Sequence, residues 1–393
     1  MKRDYARQST TLNKTMTDYE YLIHLLYCTI HGTQPAEKPE GVSFKNVLDI
    51  GKMHEVANIA FLSVDRLTEK PSSEVYRDWQ MIYFFSVQRD ARQQALYADV
   101  TGLLHANGIR TLEAQGTVTK TLYPSPEWRM MSDLDFIIDR EKLPQAHALL
   151  SHAGYTVATL YEDGFSAEKG NLEVELHSDF FTRKVYGREA NYAKAIHNAF
   201  LHAAPDAENP MKYILEDTYY YLFSVLHTIK HFETAGCGIR RVMDLYYLKK
   251  ALGKKMDDAY VQQVLERHDF QTSYHTLLAL EAMWFEGVAP ETDLSDAVRT
   301  VLTSGNHGTR ERLSHNTIRT EQRAGVRFPT ARRIRCYIFP SKEWIYENYP
   351  VCREHDYSYA TAWLYRLFQK LKDGKLKTAL QYIHHMLRAK RGQ

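Results

Sequence analysis

The sequence predicts an α+β protein in which a small mixed sheet is embedded between N-terminal and C-terminal helical regions. Three observations lead there. Both flanks carry apolar residues at three- and four-residue intervals, the period of an amphipathic helix. Short segments with a period of two cluster in the middle of the chain, separated by a helical stretch, as a compact α/β unit requires. At 393 residues the chain exceeds the size at which one hydrophobic core usually stops growing, so two or three packed units are expected. The expected division is 1–106, helical; 107–205, α/β core; and 206–393, helical.

The elements follow in chain order. Residues 16–31 and roughly 46–63 read as amphipathic helices, with two glycines and two prolines in Gly32–Gly41 ending the first. From Glu74 to Asn107 the helical period continues with no proline, and no glycine before Gly102, giving one long helix or two joined ones. Gly108 then introduces a strand at Ile109–Ala114, followed by Gly116 and a short helix reaching Tyr123. Next come the strand Leu134–Ile138, a helix Lys142–His152 ended by Gly154, and strands Tyr155–Leu160 and Asn171–His177. Beyond the loop Ala203–Pro210 the pattern reads as helical, with Ile214, Leu222, Val225, Leu226, Ile229 and Phe232 on one face. Val242–Leu252, Asp258–His268 and Ser273–Phe285 extend it. Phe339–Pro350 reads as irregular, and a last helix or pair is expected over Tyr357–Ala389.

Composition excludes several classes. Hydrophobic content of 44% and charged content of 25% are ordinary globular values and argue against a disordered or fibrous chain. The net charge of +2 hides local bias, with eight arginines from Arg310 to Arg335 and eight Lys/Arg against Asp373 alone from Arg366 to Arg391. Such runs usually form solvated faces, and the alternative is contact with phosphate, nucleic acid or an anionic surface. The four cysteines are far apart and show no C-x-x-C spacing, so a zinc site or disulfide framework is not indicated and a reducing cytoplasm fits. No signal-peptide pattern or membrane span is expected, since runs such as Tyr21–Ile30 are short and interrupted by His24.

The chemistry-bearing residues lie in two strands. Asp133 and Asp135 alternate with Leu134, Phe136 and Ile138, so both carboxylates share one face, with Cα atoms roughly 7 Å apart. A single D-x-D triplet is expected about once by chance in a chain of this length. In Asn171–His177, however, Glu173, Glu175 and His177 also share one face, opposite Leu172, Val174 and Leu176. Acids converging from two strands repel one another unless cations neutralise them, and oxygen ligands select Mg²⁺ or Mn²⁺. Two such ions can hold a triphosphate and activate a hydroxyl. The competing reading is a set of ordinary exposed acids paired with nearby arginines. On the later helix, His227 and His231 at i and i+4 are expected to be packed or hydrogen-bonded in a cleft. Arg240 and Asp244 most simply form an ion pair within one helix, the alternative being that Arg240 reaches a phosphate.

The order of Gly116, Tyr123-Pro124, Arg129, Asp133-Leu134-Asp135, Gly154-Tyr155 and Val174-Glu175-Leu176-His177 resembles the uncharacterised nucleotidyltransferase family of the DNA polymerase β-like superfamily. His227, His231, Gly238-Ile239-Arg240 and Asp244 extend the likeness, as do Phe339-Pro340-Ser341, Tyr349-Pro350 and Trp363 with Arg366. The resemblance implies a nucleotidyltransferase core, with Asp133 and Asp135 as metal ligands and Glu175 as the third carboxylate, leaving Glu173 as a flanking acid. It implies Gly116 at a turn whose backbone N–H groups approach phosphates, and Arg129 beside a phosphate oxygen. Where relatives carry Lys-Gly this chain has Gln115-Gly116, and Thr117 stands where a second small residue is common. Lys120, one helical turn on, is the candidate to restore the missing charge.

The expectation is a metal-dependent enzyme that uses Mg²⁺ or Mn²⁺ and moves a nucleoside monophosphate from an NTP to an acceptor hydroxyl, releasing pyrophosphate. The acceptor, whether small molecule, peptide or protein, is not legible. The alternative, favoured by Gln115, is a nucleotide-binding or antitoxin-like scaffold protein of the same fold with weakened catalysis. Nucleic acid is the least favoured partner, because aromatic residues are sparse in the arginine-rich stretch.

Overall fold

A computed structural model describes residues 16–113, 116–160, 163–181, 190–309, 311–314, 316, 318 and 327–372. The N-terminal region is helical. Helix α1 (Asp18–His31) starts at a capping box in which Thr17 and Glu20 satisfy each other's backbone N–H groups, and it ends at Gly32 in the left-handed conformation. The segment expected as one helix over 46–63 is instead two, α2 (Phe44–Met53) and α3 (Ala57–Val64). Glu55 takes φ 54°, which no continuous helix accommodates. No glycine or proline marks this break, because it is held by distant partners of Glu55 described below.

Helix α4 (Ser73–Ala106) is a single unbroken element of 34 residues, about 50 Å long. Its length lets it serve two cores. Trp79 is buried with α1–α3, while Leu96, Val100 and Leu104 are buried against the sheet.

Seven strands form one mixed sheet: β1 (Thr111–Glu113), β2 (Asp133–Ile137), β3 (Thr156–Val157), β4 (Gly164–Lys169), β5 (Leu172–His177), β6 (Ala203–Pro205) and β7 (Lys212–Leu215). Their order is β3-β4-β5-β2-β1-β7-β6. The pairs β2/β5 and β1/β7 are parallel and the rest antiparallel. Strand β4 was not foreseen, and it depends on Gly164, whose φ of 153° and approach to β5 leave no room for a side chain: a Cβ would lie 2.2 Å from the Leu176 carbonyl oxygen. The helical reading of Ile214 is also corrected, since it sits in β7 and is 48% exposed. Four residues are too few to separate a strand from a helical turn by period. Strand β6 lies at the sheet edge, where Pro205 is tolerated.

Helices α5 (Gly116–Thr121) and α6 (Leu143–His152) complete the central unit, and α7 (Ala190–Ala195) follows it. Leu134, Phe136 and Ile138 pack with Leu172, Val174 and Leu176 under α4 and α6, forming one hydrophobic core. The larger core joins α1–α3 to α8 (Asp217–Glu233), α9 (Ile239–Leu252), α10 (Asp258–Arg267), α11 (Gln271–Glu281) and α12 (Ser295–Ser304). A π-helical turn, Ala282–Glu286, extends α11.

Further helices span Pro329–Ile338, Lys342–Asn348, Pro350–Glu354 and Tyr359–Lys372. Phe339–Pro350 is therefore mostly helical, contrary to the sequence expectation. Ser341 accepts a hydrogen bond from the Trp344 N–H at 3.1 Å, and Pro350 opens the next helix, so both residues act as helix starts. His384-His385, Gln115 and most of the basic tail lie outside the described residues. Among the described residues no helix is long and apolar enough to cross a membrane.

Candidate functional site

The parallel register of β2 and β5 sets Asp133 beside Glu173, Asp135 beside Glu175 and Ile137 beside His177. Alternation then sends Leu134, Phe136, Val174 and Leu176 into the core beneath and leaves the polar residues on the opposite face. The start of β2 is pinned from α3 and α4. Asn58 donates to the carbonyls of Glu127 and Trp128 at 2.9 and 3.0 Å, while Arg89 and Gln93 donate to that of Met131 at 2.7 and 3.0 Å. These bonds fix the backbone directly before Asp133.

Ligand atoms of Asp135, Glu175 and His177 all lie within 4.8 Å of one another. His177 Nε2 is 3.4 Å from Asp135 Oδ1 and 3.2 Å from Glu175 Oε2. Burial disfavours the charged imidazole, but hydrogen bonds to the two carboxylates win and raise it to about 9. The same contact lowers the Glu175 carboxyl. Asp133 stands outside this tight set. Burial, then the charges of Asp135 and Glu175, push its carboxyl up, and Glu173 is raised by burial, Glu175 and Asp133. Crowded acids whose charge is partly offset by one imidazolium fit a cation-binding face.

This face lines a cavity of about 380 Å³. Gly116 and Arg129 edge it, and a Cβ on Gly116 would lie 2.6 Å from the Met131 sulfur and 3.1 Å from Arg129 Nη1. The helical half contributes Phe223, His227, Lys230 and His231 from α8, Arg240 and Arg241 from α9, and His307. Acids thus stand on the sheet and cations on the helices of one cavity.

The expected phosphate-binding side chains are placed differently from one another. Lys120 does not line the cavity. It is buried and ion-paired with Asp90, with Gln93 accepting a further bond at 3.4 Å, because its side chain reaches from α5 to these two residues of α4. Thr117 is also absent from the lining, and its enclosed hydroxyl has no hydrogen-bond partner. Arg129 lines the cavity while giving Nε and Nη2 to Asp244, at 2.8 and 2.9 Å. Tyr123 donates to the same carboxylate at 2.7 Å. The expected ion pair between Arg240 and Asp244 is therefore replaced. Arg240 instead meets Glu55 and the Met130 carbonyl. His307 and Asn306 also reach Glu55, at 2.8 and 3.0 Å. Against the opposing effect of burial, the His307 hydrogen bond and Arg240 hold the Glu55 carboxyl at about 2.

His227 and His231 line the cavity and touch through their Nε2 atoms at 3.2 Å. Burial pushes both imidazoles down, and His231 reaches about 2. Sequence reasoning placed His177 on the acidic face without seeing it as a partner of both acids. The signal was its parity with Glu175. It missed Arg241, Lys230 and Glu55, which become neighbours of the site only when α8, α9 and the α2–α3 junction close over the sheet.

A family model described as uncharacterised nucleotidyltransferase matches residues 40–286, a span that holds every cavity-lining residue except His307. A comparison with curated proteins finds no significant match. Among solved structures, a solution structure of the antibiotic-resistance factor ANT(2'')-Ia matches at 13% identity and a TM-score of 0.34, covering 48% of this chain and 96% of that one. A crystal structure of ANT(2'')-Ia in complex with adenylyl-2''-tobramycin matches at 13% identity and a TM-score of 0.35, covering 45% and 99%.

Proposed function

The chain belongs to the uncharacterised nucleotidyltransferase family, and we propose that its cavity transfers a nucleoside monophosphate from an NTP to an acceptor hydroxyl. The observation that carries this reading is the parallel register that sets Asp135 beside Glu175, with Asp133 two residues earlier on the same face of β2, in one cavity opposite a cationic wall.

Asp133, Asp135 and Glu175 would hold Mg²⁺ or Mn²⁺, and His177, on losing its proton as the cation enters, would add a nitrogen donor within reach of Asp135 and Glu175. A bound divalent ion supplies charge neutralisation at the phosphates and a lower pKa for a hydroxyl. The acceptor oxygen forms a bond to the α-phosphorus, the bond from that phosphorus to the bridging oxygen of the pyrophosphate breaks, and Glu175 accepts the hydroxyl proton. Phe180, Phe181 and Phe223 offer apolar surface for a base or an acceptor ring. The three-part division is part of this proposal, with β7, beyond residue 205, completing the sheet of the middle part. So is a cytoplasmic location, which the free cysteines Cys28, Cys237, Cys336 and Cys352 suit.

Metal-dependent pyrophosphate release from NTPs, screened against hydroxyl-bearing acceptors, tests the reading. Asp133→Ala and Asp135→Ala should each abolish it without unfolding the chain. Release at the wild-type rate by the double variant would remove the metal assignment.

A second reading, a nucleotide binder with weakened catalysis, is favoured by one observation: Lys120, Arg129 and Arg240 are each committed to an internal carboxylate. Titration of ATP, GTP, CTP and UTP with and without Mg²⁺ separates the two, since only the first requires affinity and turnover coupled to metal.

A further inference from the structure

Every cationic side chain expected from the sequence to meet phosphate is held by an acid of the protein itself. Arg241, on the first turn of α9, is different. It lines the cavity, and no carboxylate among the described residues forms an ion pair with it. Its Nη1 lies 3.2 Å from His227 Nδ1, and its Nε is enclosed with no hydrogen-bond partner among the described residues. Burial lowers the guanidinium to about 10, with Arg240 adding repulsion. Asp244, already paired with Arg129, offsets this only in part, and a buried guanidinium with no acid in direct contact is a costly arrangement.

The neighbouring histidines complete a wall of donors. A guanidinium only donates, so His227 Nδ1 must accept from Arg241 and its proton must sit on Nε2. That proton is given to His231 Nε2, which leaves the His231 N–H on Nδ1. The chain from Arg241 through His227 to His231 therefore occupies both nitrogens of His227 and the acceptor of His231, and leaves the His231 Nδ1–H and the remaining Arg241 N–H groups as its unused capacity. Lys230, one turn from His227 and next to His231 on α8, lines the same cavity. Such a wall fits an anion with several oxygen atoms.

We propose that Arg241, with the His227–His231 pair, forms the subsite for the pyrophosphate end of the NTP. This rests on the nucleotidyltransferase reading, in which the α-phosphorus lies at the carboxylates of β2 and β5. The terminal phosphates of the same molecule need cations elsewhere in the cavity. Arg129 and Arg240 are ion-paired with Asp244 and Glu55, so among the described residues Arg241 is the guanidinium lining the cavity that no carboxylate pairs with.

The test is calorimetric binding of inorganic pyrophosphate, without divalent metal, to the full chain and to the Arg241→Gln, Arg241→Lys and Asp135→Asn variants. Loss of a charge-assisted pair should weaken Arg241→Gln by on the order of 10- to 100-fold. Arg241→Lys, which keeps the charge but not the planar fork, should fall between it and the wild type, and it serves where the glutamine variant does not fold. Asp135→Asn should bind pyrophosphate at least as well as the wild type while losing turnover. Equal pyrophosphate affinity in wild type and both Arg241 variants overturns the subsite even where the chain turns over NTP. Arg241-dependent pyrophosphate binding in a chain that never turns over NTP instead keeps the anion subsite and overturns the transferase reading beneath it.

Discussion

Arg129 and Asp244, 115 residues apart, form a buried two-point ion pair with hydrogen bonds of 2.8 and 2.9 Å. The pair ties the segment leading into β2 to the middle of α9. Tyr123 adds a third bond to the same carboxylate, and the Arg129 guanidinium reaches the Gly116 carbonyl at 3.5 Å. The contact thus sets the distance between the acidic face of the sheet and the cationic wall of α8 and α9. Removing one partner leaves an uncompensated buried charge. Arg129→Met and Asp244→Asn should each cost about 3–5 kcal/mol in urea denaturation. The double variant Arg129→Met/Asp244→Leu should cost less than the sum of the two single changes. Single losses below about 1 kcal/mol would show that the pair does not hold the halves together.

Lys120 yields a different expectation. Its ammonium sits with Asp90 between α5 and α4, so Lys120→Met strands a carboxylate in that packing. Stability should fall, whereas the NTP KM of the folded fraction should stay within about twofold of wild type. A large rise in KM with unchanged stability would return Lys120 to the phosphates.

Stability should also depend on His54. This imidazole is fully buried, accepts a hydrogen bond from the Ile239 N–H at 3.3 Å, and is pushed by burial from 6.5 to about 4. The unfolded chain takes up a proton near pH 6.5 that the folded chain refuses until about pH 4. Stability from this group is therefore complete above pH 6.5 and is lost as pH falls through that window, by on the order of 3 kcal/mol. His54→Asn keeps an acceptor near the Nδ1 position and cannot titrate. Its denaturation free energy should fall less than that of the wild type between about pH 7 and about pH 5. Parallel curves for the two proteins would contradict this.

The sequence made the acidic face legible because two strands of five and six residues keep strict alternation, and buried apolar partners fix their parity. It made α4 legible because no proline interrupts the period and its one glycine, Gly102, comes in the last turns. The break at Glu55 was invisible, since its left-handed backbone is stabilised by Arg240 and His307, 185 and 252 residues away. The partner of Asp244 was misjudged for the same reason. Four-residue spacing on α9 suggested Arg240, while the fold brings Arg129 to Asp244 and Glu55 to Arg240. Local periodicity reports which face a residue occupies. It does not report which distant element closes over that face, and the choice of ion-pair partners is made there.

The central claim, that β2 and β5 present a cation-dependent nucleotide site, is tested most directly by a crystal structure with Mg²⁺ and a non-hydrolysable NTP. The account predicts a cation at oxygen-ligand distance, roughly 2.1 Å, from Asp135 and Glu175, with the triphosphate inside the cavity between those acids and α9. Nucleotide bound elsewhere, or bound in the cavity with no cation at these carboxylates, would contradict it.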